Sequence, residues 1–167
     1  MRRILSASAA GLAVVVASLA LAASTLAGGS VAVSSSVPWS FGVFVEQGAT
    51  YDVVANGYVQ TAKIPYYHIP GVSKSASGPA GQPDKPCLAA YESDVNGQCA
   101  LEGANFGALI GMVTEPATGM AVADPFVIGA GQSFVAPADG VLMLAVNDLN
   151  LTYYDNNGQF TVGITAR

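Results

Sequence analysis

The run Val141-Leu142-Met143-Leu144-Ala145-Val146 constrains the fold more than any other stretch of this chain. Both of its alternating residue sets are apolar, so a strand here is covered on both faces and sits in the middle of a sheet inside a layered structure. The turn residues Pro137-Ala138-Asp139-Gly140 precede it. The last stretch, 159–166, behaves differently: Phe160, Val162 and Ile164 alternate against Thr161, Gly163 and Thr165, the pattern of a half-buried strand. Further short strands are expected at 41–47, 50–59, 106–113, 125–128 and 133–136, the first two pairing around Gln47-Gly48. A charge content of 10%, little Lys, and abundant Gly, Val, Ala, Thr and Tyr fit β-structure with tight turns. The expected architecture is all-β, a small jelly-roll β-sandwich.

The first 27 residues place Arg2 and Arg3 ahead of the charge-free run AAGLAVVVASLALAASTLA, with small-residue cleavage patterns at Ala20-Leu21-Ala22 and Thr25-Leu26-Ala27. This reads as a secretory signal peptide over 1–27. The alternative is a retained membrane anchor, which the Ala, Ser and Thr content disfavours. Export implies a secreted or cell-surface protein. Residues 28–38 read as a Gly- and Ser-rich linker or partly ordered start, and 39–167 as one domain. Removing the signal takes away two arginines but no acidic residue, so the formal charge of −5 becomes about −7. Such a surface repels phosphate backbones, which excludes nucleic acid as an expected partner.

Two cysteines in an exported chain imply one disulfide, Cys87 to Cys99, the alternative being two buried free thiols. Two Cys and one His are too few for a zinc cage. The pair lies in a long excursion, 64–105, marked by Pro65, Pro70, Pro79, Pro83 and Pro86 and by no sustained period. Loops of that length are functional or stapled, and the disulfide supplies the staple.

The densest set of oxygen ligands is Asn147-Asp148-Leu149-Asn150-Leu151-Thr152-Tyr153-Tyr154-Asp155-Asn156-Asn157-Gly158. Two carboxylates and several amide oxygens in one loop suit a hard cation, calcium better than magnesium. The competing reading is a set of Asx turns and a hairpin, with Asn157-Gly158 supplying positive φ angles. An EF-hand is excluded, because with Asp148 first, Tyr153 stands where Gly is needed and Gln159 where a bidentate Glu is needed.

The segment 134–164, with APADGVLMLAVND, then Thr152-Tyr153, then Asp155-Asn156 ahead of Gly158 and FTVGI, resembles the C-terminal half of the PA-IL (LecA) family of calcium-dependent galactose-binding bacterial lectins. Residues 48–58 and Phe106-Gly107-Ala108-Leu109 resemble two further strands of that family. The resemblance implies a galactose-binding-domain-like sandwich holding one Ca2+, with two sugar hydroxyls completing its shell. It implies metal ligands at Asp148, Asp155 and Asn156 and at the backbone oxygens of Thr152 and Thr61. It also implies a sugar lying against Asp148, Leu149, Thr152 and Asp155. The family's His-Pro-Asp-Gln run is matched here only by Gln82-Pro83-Asp84-Lys85, so Gln82 and Lys85 are the expected rim contacts and the preferred sugar need not be the family's. Asp155 stands where the family has Asn, adding a negative charge that favours calcium.

Other chemistry-bearing residues have ordinary readings. His68 follows Tyr66 and Tyr67 in a Pro-flanked loop; Trp39 is expected against the sandwich end; Asn150-Leu151-Thr152 is a glycosylation sequon inside the candidate metal loop. Three function classes follow. The first is a carbohydrate-binding, non-enzymatic domain. The second is a calcium-stabilised structural protein whose apolar surface supports a homo-oligomer or other self-assembly. The third, hydrolysis by a pair among Asp84, Glu92, Asp94 and Glu102, has no Gly-x-Ser-x-Gly elbow and one His to support it.

Overall fold

The doubly apolar run becomes strand β7 (Gly140–Val146), flanked on one side by β2 (Ser40–Val45) and on the other by β4 (Leu109–Thr114). Leu142, Leu144 and Val146 enter the main core, and Val141 and Ala145 on its other face are buried as well. The computed structural model describes residues 29–61, 76–88 and 98–167. The segment read as a signal peptide, together with Tyr66, Tyr67, His68, Glu92 and Asp94, lies outside the described residues. No helix among the described residues is long and apolar enough to cross a membrane.

The remaining strands are β1 (Gly29–Ser34), β3 (Thr50–Gln60), β5 (Phe126–Val127), β6 (Gly131–Val135) and β8 (Asn157–Ala166), with a short 3-10 turn at Tyr153–Asp155. They form two four-stranded sheets, ordered β1-β8-β3-β6 and β2-β7-β4-β5. Every pairing between them is antiparallel. In this order the first and last strands are neighbours and the chain passes repeatedly from one sheet to the other, the wrapping of a jelly roll.

The core lies between the sheets. Val33, Tyr51, Val53, Ala55, Val59, Phe160, Val162 and Ile164 come from one sheet and Val45, Leu109, Val113, Leu142, Leu144 and Val146 from the other. Along β8 the alternation holds as the sequence implies, with Phe160, Val162 and Ile164 buried and Thr161 and Thr165 exposed. Stacking of Tyr51 on Phe134 (5.6 Å between ring centroids) and of Phe134 beside Phe126 (5.1 Å) closes one end. Trp39 is half-buried.

Two sequence expectations are corrected. Strands β2 and β3 do not pair across Gln47-Gly48; they belong to opposite sheets. The Gln47 amide donates to Asp139 Oδ1 at 2.7 Å and the Gly48 amide to the Ala136 carbonyl at 2.9 Å. The turn is thereby docked on a second turn instead of closing a hairpin, and Gly48 supplies the left-handed φ of +80° that it needs. The segment read as a linker contributes β1, whose Val31 and Val33 face the core while its backbone pairs with β8 from Gly29↔Ile164 to Ser34↔Gln159.

Because Leu144 is fully buried between the sheets, Leu144→Ala should lower unfolding free energy by about 2–5 kcal/mol, whereas Thr165→Ala on the exposed face should change it by less than about 0.5 kcal/mol. Urea denaturation of the two variants checks both values.

Candidate functional site

Strand β3 runs past the end of its other partner. Its first half pairs with β6 over Thr50–Val54, but the β8 pairing continues to Val59↔Gly158 and Gln60↔Asn157. That register brings Thr61 next to Asn156, and thus joins the first half of the chain to the loop between β7 and β8. Gly158 makes the close approach possible: its φ is +92°, and a Cβ there would collide with the Tyr58 carbonyl oxygen. It lies within β8 and not at a hairpin tip, so the Asn157-Gly158 turn reading does not describe this loop.

Around this junction the polar side chains are buried. Thr61 is fully buried, Asp148 is 4% exposed, Gln82 6%, and Asp155 and Asn156 8% each, values rare for such residues unless they hold one another or a ligand. Asp148 Oδ1 accepts from the Leu149 amide at 2.8 Å, and Oδ2 accepts from Asn156 Nδ2 at 2.7 Å. The same Asn156 Nδ2 donates to the Ser35 carbonyl at 2.9 Å. The amide nitrogen is thus fully used, while Asn156 Oδ1 is buried without a hydrogen-bond partner among the described residues. Gln82 Nε2 donates to Thr61 Oγ1 at 3.2 Å, which draws the 82–85 turn to the same place. The Thr152 hydroxyl donates to the Leu149 carbonyl at 3.0 Å and the Asp155 amide donates to the Thr152 carbonyl at 3.1 Å, so the 3-10 turn stands beside Asp148.

Burial pushes the Asp148 carboxyl up to about 6, and the charge of Asp155 pushes in the same direction; the Asn156 amide, the Leu149 amide and the Thr152 hydroxyl oppose it. Burial and the Asp148 charge also push the Tyr153 phenol up. Its hydroxyl donates to the Val146 carbonyl at 3.2 Å, anchoring the turn on β7. Among the described residues no three His, Cys, Asp or Glu side chains converge; the donor set is two carboxylates with amide, hydroxyl and backbone oxygens. Hard cations take such oxygen sets, and an amide oxygen without a donor is a position a cation fits.

The residues expected from the sequence are therefore brought together: Thr61, Gln82, Asp148, Thr152, Asp155 and Asn156 meet at one end of the sandwich. Leu149 is different. Its side chain is buried against Cys87 and Phe106, so it offers a ligand only backbone. Lys85 is half-buried in the 82–85 turn, where its amide donates to the Gln82 carbonyl at 3.3 Å and Asp84 takes a left-handed φ of +56°.

No protein-family model and no curated protein matches this sequence. Among solved structures the chain is similar to one described as "EclA N-terminal domain; PllA-like lectin", with a TM-score of 0.54 and 16% identity, covering 83% of this chain and 95% of that one. The shared property is the sandwich fold.

Two residues that hold the cluster in place are not legible as such in the sequence: Ser35 is unremarked there, and Asn147 reads as one more oxygen ligand. Ser35 supplies the carbonyl that fixes Asn156, and its own amide and hydroxyl donate to the Gly158 carbonyl at 3.1 and 2.9 Å. Asn147 turns away from the oxygen cluster: its Oδ1 accepts from the Leu101 amide at 2.9 Å and its Nδ2 reaches the Leu101, Ala104 and Asn105 carbonyls at 2.9–3.3 Å. Its position next to Asp148 in an Asp- and Asn-rich pattern is the only signal in the sequence, and it points to a cation ligand where the structure shows a loop anchor.

The raised Asp148 carboxyl carries a sign. Protonation is favoured in the folded state, so in chelator the stability contribution of this group is full below about pH 4 and is lost as pH rises through about 6. The loss is about 3 kcal/mol for a shift of this size. Unfolding measured in chelator from pH 4 to 7 should show that decline in the wild type, relative to Asp148→Asn, and parallel curves would refute the assignment.

Proposed function

We propose that this protein is a non-enzymatic carbohydrate-binding domain of an exported or surface protein, in which calcium links the chain to a sugar of galactose type. The observation that carries the reading is the buried oxygen cluster itself: two buried carboxylates that act on each other electrostatically, with Asn156 Oδ1 unpartnered among the described residues, on a sandwich whose fold is shared with a lectin domain. Asp148, Asp155 and Asn156 would hold the cation with side-chain oxygens, and Thr61 and Thr152 with backbone oxygens. Bound there, calcium neutralises the carboxylate pair and accepts neighbouring sugar hydroxyls in the positions these residues leave open. Asp148 and Asp155 also offer acceptors to those hydroxyls, and the 82–85 turn, tied to Thr61 through Gln82, forms the rim that selects among sugars.

A second reading has its own observation. Phe41 and Phe44 are each about half exposed on β2, an edge strand, with ring centroids 5.5 Å apart, and such aromatic surface on an edge favours association between copies. On this reading calcium stiffens a self-assembling sandwich and no sugar is bound.

Calcium at a hundredfold excess over its dissociation constant should stabilise the protein by roughly 3 kcal/mol, seen as a raised thermal midpoint that chelator reverses. A glycan array with and without chelator should show calcium-dependent binding that Asp148→Asn abolishes, while Lys85→Ala changes only the order of preferred sugars. Calcium stabilisation with no glycan bound, together with calcium-dependent growth in particle size, would give the second reading the lead. A melting curve unchanged by millimolar calcium would remove both.

A further inference from the structure

The backbone that carries Asp148 is held from outside the sandwich by the disulfide-bonded part of the excursion. The Ala100 amide donates to the Asp148 carbonyl at 3.0 Å and the Asn150 amide to the Gln98 carbonyl at 2.9 Å, so Cys99 and Leu149 form an antiparallel bridge. Cys99 is bonded to Cys87, and Cys87 in turn donates its amide to the Ala104 carbonyl at 2.8 Å and accepts from the Gly103 amide at 2.7 Å. Inside this ring of contacts lies a small core of Cys87, Phe106 and Leu149, with Cys99 packed on it. Asn147, fully buried, spans from β7 into the same segment through its four side-chain hydrogen bonds.

Asp148 therefore stands between two residues fixed to the excursion, Asn147 by its amide and Leu149 by its side chain. One oxygen of its carboxylate accepts from the Leu149 amide and the other from Asn156 Nδ2. We infer that the Cys87–Cys99 disulfide and Asn147 are positioning devices for the oxygen cluster, so that ligand affinity at the site depends on a bond and a side chain that touch no ligand. This rests on the cation reading of the site given above.

The physical basis is population. The 98–105 segment joins the loop through an isolated bridge and a few hydrogen bonds, not through a continuous ladder, and such contacts open at low cost unless a cross-link restricts the chain. When only a fraction of molecules holds Asp148 in place, the apparent dissociation constant rises by the inverse of that fraction. A site formed in one molecule in ten binds tenfold more weakly, with the sandwich still folded.

The test compares oxidised wild type, the Cys87→Ala/Cys99→Ala double variant and Asn147→Ala, each held well below its own thermal midpoint. Calcium affinity is read by titration calorimetry, and amide hydrogen exchange is read in chelator. The expected result is calcium binding at least tenfold weaker in both variants, faster exchange at the Ala100 and Asn150 amides, and retained protection of Leu142 and Leu144 in β7. Calcium affinity within twofold of wild type, with unchanged exchange at Ala100 and Asn150, overturns the inference. Should wild type bind no calcium, the proposed function fails separately, and exchange in chelator still decides: unchanged rates refute positioning and faster rates at those two amides alone support it. Should the cysteine double variant fail to fold, wild type reduced with a phosphine provides the same two readouts, and should Asn147→Ala fail, Asn147→Ser takes its place.

Discussion

A buried Asp148 carboxylate within reach of the charge of Asp155, which is buried too, opposes folding, and the arrangement around it is best understood as compensation. Asp148 loses water and faces Asp155, which together drive its carboxyl up to about 6. Each oxygen of Asp148 then receives one donor, the Leu149 amide and the Asn156 amide. These bonds lessen the penalty without removing it, since the carboxyl stays well above its ordinary value. A fold that retains such groups gives up stability unless positive charge is brought to them; on the reading proposed above, a bound cation would restore it.

The geometry that makes this possible comes from strand pairing over long distances in sequence. Asn156 is fixed by Ser35, 121 residues away, because β1 and β8 are neighbours in the jelly-roll order. Thr61 meets Asn156 because β3 outlasts β6 and keeps its register with β8. The cluster is therefore assembled from both ends and the middle of the described chain, on strands whose inner faces are packed in the core. Rigid elements hold such constellations more closely than loops do, and here the one loop that contributes most, 147–156, is tied down at Asn147, Leu149, Tyr153 and Asn156.

What the sequence disclosed, and what it withheld, follows from the range of the interactions involved. The two-faced apolar run of β7 and the alternation of β8 are local patterns of period 2, and both elements lie where those patterns place them. The Asp- and Asn-rich loop was legible because its oxygen donors are close in sequence. The side of a turn to which a strand goes is not local: β2 and β3 look like a hairpin until Asp139 and Ala136 are seen to hold the turn between them. Likewise β1 resembles a linker, since Val31 and Val33 among serines gain meaning only beside β8. Asn147 and Ser35 act through backbone groups far along the chain, and composition carries no trace of such partners.

The oxygen cluster and the 82–85 turn answer to different parts of the fold, a separation that would matter for the binding proposed above. Asp148, Asp155, Asn156 and Thr61 are set by the β3, β7 and β8 register, which cannot shift by one residue without turning Phe160, Val162 and Ile164 to solvent. The 82–85 turn is held by less: the Gln82 amide to the Phe106 carbonyl at 2.7 Å, the Phe106 amide to the Lys85 carbonyl at 2.9 Å, and Gln82 Nε2 to Thr61. Within it Pro83 precedes Asp84 at φ +56°, a conformation that Gly or Asn adopts with less strain. Substitution at Asp84 or Lys85 leaves those anchoring bonds in place, since among the described residues Lys85 is bonded there through its backbone and the side chain of Asp84 takes no part in them. On the reading proposed above, cation affinity and ligand choice would thus change independently, because the register of a packed sheet would fix the first and a short surface turn the second.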